Sequence, residues 1–187
     1  MRSMYGLGIF FTVFAGLGMP QAAIAQSVAE PRGVTITPFL SAVFGTSNDL
    51  GGSLGVGAAI GYDLTSSLGF EGEFSHAFDL LGDNANIDWS LTNFTGNVVY
   101  HFDARHVTPY ATLGLGFERS SIDVQAPDPV ALVAPDSTEI TYNFGGGVKY
   151  SLTGRLLARG DLRRFQANDL APDHWRLYGG LTFWLKR

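Results

Sequence analysis

The sequence predicts an all-β fold, an eight-stranded antiparallel up-and-down barrel that crosses a membrane. Three observations lead there. Eight segments alternate in polarity with a period of two, separated by turn-forming residues. The connections between them are alternately short and long. The aromatic residues gather beside the two ends of the segments.

The first residues stand apart from this pattern. Arg2 precedes the uncharged stretch "GLGIFFTVFAGLGM", and Ala23 and Ala25 follow in an A-x-A arrangement. That order is the order of a secretory signal. The apolar stretch is shorter than the ~18–20 residues needed to span a bilayer as a helix. Residues 1–25 are therefore expected to be a cleaved signal, and residues 26–187 the barrel domain.

The segments follow in order. The first is Val34–Phe44. The second, Leu54–Leu64, places Val56, Ala58, Ile60 and Tyr62 on one face, and Gly55, Gly57, Gly61 and Asp63 on the other. The third, Leu68–Phe78, opposes Phe70 and Phe74 to Glu71, Glu73 and Ser75. The fourth, Trp89–Phe102, opposes Phe94, Val98 and Tyr100 to Asn93, Thr95 and Asn97. The fifth, Pro109–Ser120, opposes Leu113, Leu115 and Phe117 to Thr112, Gly114, Gly116 and Glu118. The sixth, Ile140–Leu152, aligns Asn143, Gly145, Gly147 and Lys149. The seventh, Arg155–Phe165, aligns Arg155, Arg159, Asp161 and Arg163. The eighth, Trp175–Lys186, shows Leu177, Leu181, Phe183 and Leu185. None has a helical stripe or a capped helix start.

Successive strand residues point to opposite faces, but alternation alone does not say which face meets water. Composition decides. The polar face is built of glycine with a few charges of both signs, and only Lys149 and Lys186 supply lysine. Charged residues make up 16% of the chain, against about 25% in an ordinary soluble domain. Such a face is a poor exterior and a good interior. An eight-stranded barrel has a lumen just wide enough for side chains, and glycine makes room for arginine. The apolar face then meets lipid.

The connections agree. "TSS", "DARHVT" and "TG" are short, whereas "GTSNDLGG", "DLLGDNANID", "SIDVQAPDPVALVAPDSTE" and "QANDLAPD" are long. Short turns at one end and long loops at the other characterise outer-membrane barrels. Tyr62, Tyr100, Phe102, Tyr110, Tyr150 and Trp184 lie beside the short turns. Phe44, Phe78, Trp89, Phe117, Tyr142, Phe165 and Trp175 lie beside the long loops. Rings with one apolar and one hydrogen-bonding end favour membrane interfaces, so two belts are expected.

The stretches "YATLGLGFERS", "GGGVKYSL", "LARGDLRRF" and the final "YGGLTFWLK" give the whole mature chain its family likeness. It resembles the eight-stranded outer-membrane barrels, which include the transmembrane domain of OmpA, OmpX and the opacity-type surface proteins. The resemblance implies location in the cell outer membrane, with short periplasmic turns and long extracellular loops. It also implies handling by the barrel assembly machinery through the C-terminal strand, where Gly180, Phe183 and Leu185 keep the alternation. Lys186 and Arg187 depart from the commonest ending, which is aromatic. The family's periplasmic peptidoglycan-binding domain is not expected, since nothing follows the eighth segment.

Chemistry is expected to be structural. Glu71 and Glu73 on the third segment face Arg159, Asp161 and Arg163 on the seventh across the lumen, and an ion-pair network plugging the barrel is expected. A charge-lined path for small solutes is the alternative. "RGD" at Arg159–Asp161 falls mid-strand with Arg159 and Asp161 inward, so an adhesion role is not expected. "NFT" at Asn93–Thr95 matches a glycosylation sequon and is mid-strand too. The glycine spacings open no helix and match no dinucleotide fingerprint.

His76, His101, His106 and His174 have no metal-ligand spacing. His76 lies on the lipid face near the outer end of its strand, with Ser90 close to it on the next. A lipid A deacylase would carry a His-x-Ser pair in one strand, and this chain has "SHAF". No catalytic residue, cofactor or metal is expected, and neither is nucleic acid binding, given the formal net charge of −5. With no cysteine there is no disulfide framework. The expected role is non-enzymatic: envelope integrity and presentation of acidic surface loops. The expected partners are outer-membrane lipid and lipopolysaccharide, and a surface ligand at the loop from Ser121 to Glu139. A monomer is expected. A lipid A-modifying enzyme and a small-solute channel are the alternatives.

Overall fold

A computed structural model describes residues 32–45, 52–78, 87–104, 107–124, 137–167 and 173–186, with the side chains of 87–89, 122–124, 137 and 167 left out. The expected signal, His106, the Trp89 side chain and most of the long loops lie outside the described residues, as does most of the Ser121 to Glu139 loop.

The strands are β1 Gly33–Phe44, β2 Ser53–Asp63, β3 Leu68–Phe78, β4 Ile87–His101, β5 Val107–Val124, β6 Ser137–Thr153, β7 Leu156–Ala167 and β8 His174–Lys186. Each pairs antiparallel with the next, and β8 returns to β1, closing the barrel. Closure leaves no strand edge, so every strand's backbone donors and acceptors have a neighbour even in hydrocarbon. β5 and β6 run farther outward than their alternation suggests, because their pairing continues to Ser120 opposite Ser137, and that of β4 with β5 to Ile87 opposite Val124.

The polarity is the reverse of a water-soluble protein. Leu40, Ile60, Leu113, Leu115 and Leu185 point outward and are 61–68% exposed. Inside, Glu71, Glu73, Glu118, Asp161, Arg159, Arg163 and Arg176 are buried. Phe70 and Phe74 are outward and Glu71 and Glu73 inward. Glycine opens the lumen for large side chains. Phe39 stands between Gly57 and Gly180 on its two neighbouring strands, and a Cβ on either glycine would run into it.

Four expectations are corrected. Tyr110, Phe165 and Trp184 were assigned to the interfacial belts, but all three are buried inside the barrel. Each shares its strand's inward parity: Tyr110 with Thr112, Phe165 with Arg163, Trp184 with Thr182. Parity is imposed by the ladder and outweighs the interfacial preference of the ring. Arg155, assigned to the lumen face, is exposed in the turn at 154–155, before β7 begins.

Candidate functional site

The lumen holds the only dense cluster of charge among the described residues. β3 and β7 lie four strands apart in the ring, so their inward side chains reach for each other across the interior. Arg159 donates to Glu71 through both terminal nitrogens, Nη1 to Oε2 at 2.5 Å and Nη2 to Oε1 at 2.9 Å. This parallel two-bond pairing is the geometry that a guanidinium and a carboxylate favour. Arg159 also holds Asp161 Oδ2 on its own strand, at 2.9 Å from Nη2.

Tyr110 ties β5 into the cluster. Its hydroxyl donates to Asp161 Oδ2 and accepts from Arg159 Nε at 2.7 Å. Two residues along β7, Arg163 bridges the acids. Nη2 lies 3.2 Å from both Glu71 Oε1 and Asp161 Oδ2, and Nη1 lies 3.0 Å from Glu73 Oε2. The five residues expected to interact are brought together here. The charges are buried, and each partner offsets a desolvation cost that an isolated charge could not meet.

Arg176 was not expected and extends the cluster onto β8. It stands directly opposite Arg163 in the register, a like-charge pairing that is unfavourable by itself. Glu73 lies between them, 3.0 Å from Arg163 Nη1 and 4.0 Å from Arg176 Nη1. Arg176 Nη2 reaches Glu118 Oε2 at 3.6 Å and Nη1 donates to Ser75 Oγ at 2.7 Å. Its guanidinium sits 4.2 Å from the Phe165 ring centroid, a cation–π contact. Tyr178 donates to Glu73 Oε1 at 2.7 Å. Both residues were legible from the inward parity of β8, which alternates with outward Leu177.

Smaller contacts surround the cluster. Asn93 Nδ2 donates to Glu118 Oε2 at 3.1 Å, and Asn143 Nδ2 donates to Asn97 Oδ1 at 3.0 Å. Toward the short turns, Lys149 Nζ lies 2.9 Å from His101 Nε2. Lysine has only donors, so that ring nitrogen accepts. Among the described residues, no group of three or more His, Asp or Glu side chains could hold a metal ion.

On the outer wall, His76 Nδ1 is 2.9 Å from Thr92 Oγ1, and the ring packs edge-on against Phe78. Ser90 is placed opposite Phe78 instead. The pairing of His76 is thus with threonine.

Residues 9–183 match the family model for the outer membrane protein beta-barrel domain. Neisserial surface protein A superposes with a TM-score of 0.63 at 19% identity, over 81% of this chain and 95% of that one. The N-terminal β-barrel domain of Pseudomonas aeruginosa OprF gives 0.60 at 20% identity, over 82% and 97%. The outer membrane protein OprG of the same organism gives 0.62 at 12% identity, over 86% and 99%. At these identities the likeness is one of fold. No curated protein matches the chain.

Proposed function

Because this chain belongs to the outer membrane protein beta-barrel family, we propose that it is a non-enzymatic barrel with a closed lumen that supports envelope integrity and presents its loops at the cell surface. Its place is the outer membrane, where the family and the solved barrels it resembles reside. The observation that carries the proposal is the cross-lumen tie of Arg159 to Glu71, with Arg163 and Glu73 beside it. Side chains fill the middle of the barrel, and Arg163 and Arg176 are 0% and 1% exposed. A solute would have to break several charge-assisted bonds at once to pass, and each is of the stronger kind.

Planar-bilayer recording tests this. The purified barrel should give no steady conductance, and cells lacking it should become more sensitive to detergent. A large steady conductance, with ion selectivity altered by Arg159→Ala or Glu71→Ala, would instead make the lumen a channel.

A further inference from the structure

Midway along β1 the pairing with β8 lapses. Ile36 stands opposite Phe183 and Phe39 opposite Gly180, but Thr37 and Pro38 between them have no ladder partner on β8. On its other side β1 pairs with β2 without a break, Thr37 opposite Ala59 and Pro38 opposite Ala58. The cause is Pro38, whose ring nitrogen carries no N–H, so one rung toward β8 lacks its donor. A register shift between Val34 and Thr35 adds a second irregularity to the same pair. Elsewhere among the described residues the register shifts only at Ser151 and Thr153, beside the β6–β7 turn.

Side chains do little to offset the lapse. β1, with the sequence GVTITPFLSAVF, has no charged residue. It therefore takes no part in the ion pairs that tie β3 to β7 and β8 across the lumen. Its contacts to β8 are neutral: Thr37 Oγ1 lies 2.8 Å from Thr182 Oγ1, and the rings of Phe39 and Tyr178 meet edge-on with centroids 4.8 Å apart. Opposite Phe39 and Leu40, β8 supplies only Gly180 and Gly179, so the cross-strand side-chain pairs that stabilise a sheet are missing there. A proline inside a sheet is ordinarily confined to an edge strand. β1 is an edge until β8 reaches it, and Pro38 interrupts the side that β8 closes.

We propose that the β1–β8 seam at Pro38 is where the ring opens: this ladder parts by itself while the other seven stay paired. Parting there uncovers Thr37 and Phe39, both neutral, and leaves the Arg159–Glu71 tie in place. The inference rests on the closure of the ring and not on a closed lumen, so it stands whether or not the lumen conducts.

Hydrogen exchange of single amides, read by NMR on the folded protein in lipid nanodiscs, tests it. The amides of Leu40 and Leu181, beside the lapse, should exchange at least about fivefold faster than those of Glu73 and Thr95, partners on β3 and β4; that is the scale of one backbone hydrogen bond. Pro38→Ala restores the donor and should slow Leu40 and Leu181 by about the same factor, leaving Glu73 and Thr95 unchanged. A change in global stability alone would move all four amides together. Heat-dependent gel mobility checks that each variant is folded. If Pro38→Ala does not fold, Thr37→Val serves: loss of the hydroxyl pair should speed the seam amides alone. Seam amides as protected as those of β3 and β4 in the unmodified protein would overturn the proposal. So would a folded variant that leaves seam exchange unchanged or shifts all four amides equally.

Discussion

Arg159 on β7 grips Glu71 on β3 with two parallel hydrogen bonds, 2.5 and 2.9 Å long, across the interior of the barrel. The two residues are 88 positions apart in the chain, and no strand pairing brings them together. Only closure of the ring does. Removing one partner leaves the other charge buried, which typically costs ~3–5 kcal/mol. Arg159→Ala and Glu71→Ala should each lower stability on that scale, read as the urea midpoint of the folded, unheated gel band. Arg159→Met combined with Glu71→Leu should lose less than either alone, because the buried cluster then keeps its balance of positive and negative charge. Single variants within about 1 kcal/mol of the unmodified protein would show that the tie contributes little, since that is the range of exposed pairs.

Two kinds of glycine should respond oppositely to alanine. A Cβ on inward Gly116 would strike the backbone carbonyl of Phe94 and the Thr95 side chain, whereas outward Gly72 and Gly96 have nothing within 4 Å. Gly116→Ala should cost about 1–3 kcal/mol through overpacking. Gly72→Ala and Gly96→Ala should be neutral or stabilise by roughly 0.4–1 kcal/mol, since alanine restricts the unfolded chain. The same urea assay orders them, and the reverse order would contradict the inward assignment of Gly116.

Trp184 should be hidden from lipid. It is 8% exposed and packs with Leu157, whereas Trp175 is 36% exposed on the outer wall. In vesicles containing brominated lipid, a variant keeping only Trp175 should be strongly quenched, and one keeping only Trp184 weakly. Equal quenching would return Trp184 to the interfacial belt.

The protein should leave lipid A chemically unchanged. A serine nucleophile needs a base within hydrogen-bond reach, and the His76 ring is bonded to Thr92 while Ser90 faces Phe78 across the register. Mass spectra of lipid A from cells with and without the protein should coincide. Loss of one acyl chain that disappears in His76→Ala or Ser90→Ala would place the protein among enzymes.

Alternation in the sequence was enough to find eight strands and to sort their faces. Phe70 and Phe74 face outward and Glu71 and Glu73 inward, because neighbouring side chains have no other option in a paired strand. The same rule, applied throughout, would have placed Tyr110, Phe165, Trp184, Arg176 and Tyr178 inside. Reading the rings by their interfacial preference misplaced the first three. Strand ends were less legible, since β5 and β6 extend as far as a partner strand continues beside them. What alternation cannot carry is contact across the lumen. That Arg163 meets Glu73, that Arg176 stands opposite Arg163, and that Tyr110 completes the Asp161 site depend on the stagger and closure of all eight strands. Facing is a property of two neighbouring residues in one strand, whereas a cross-lumen bond is a property of the whole ring.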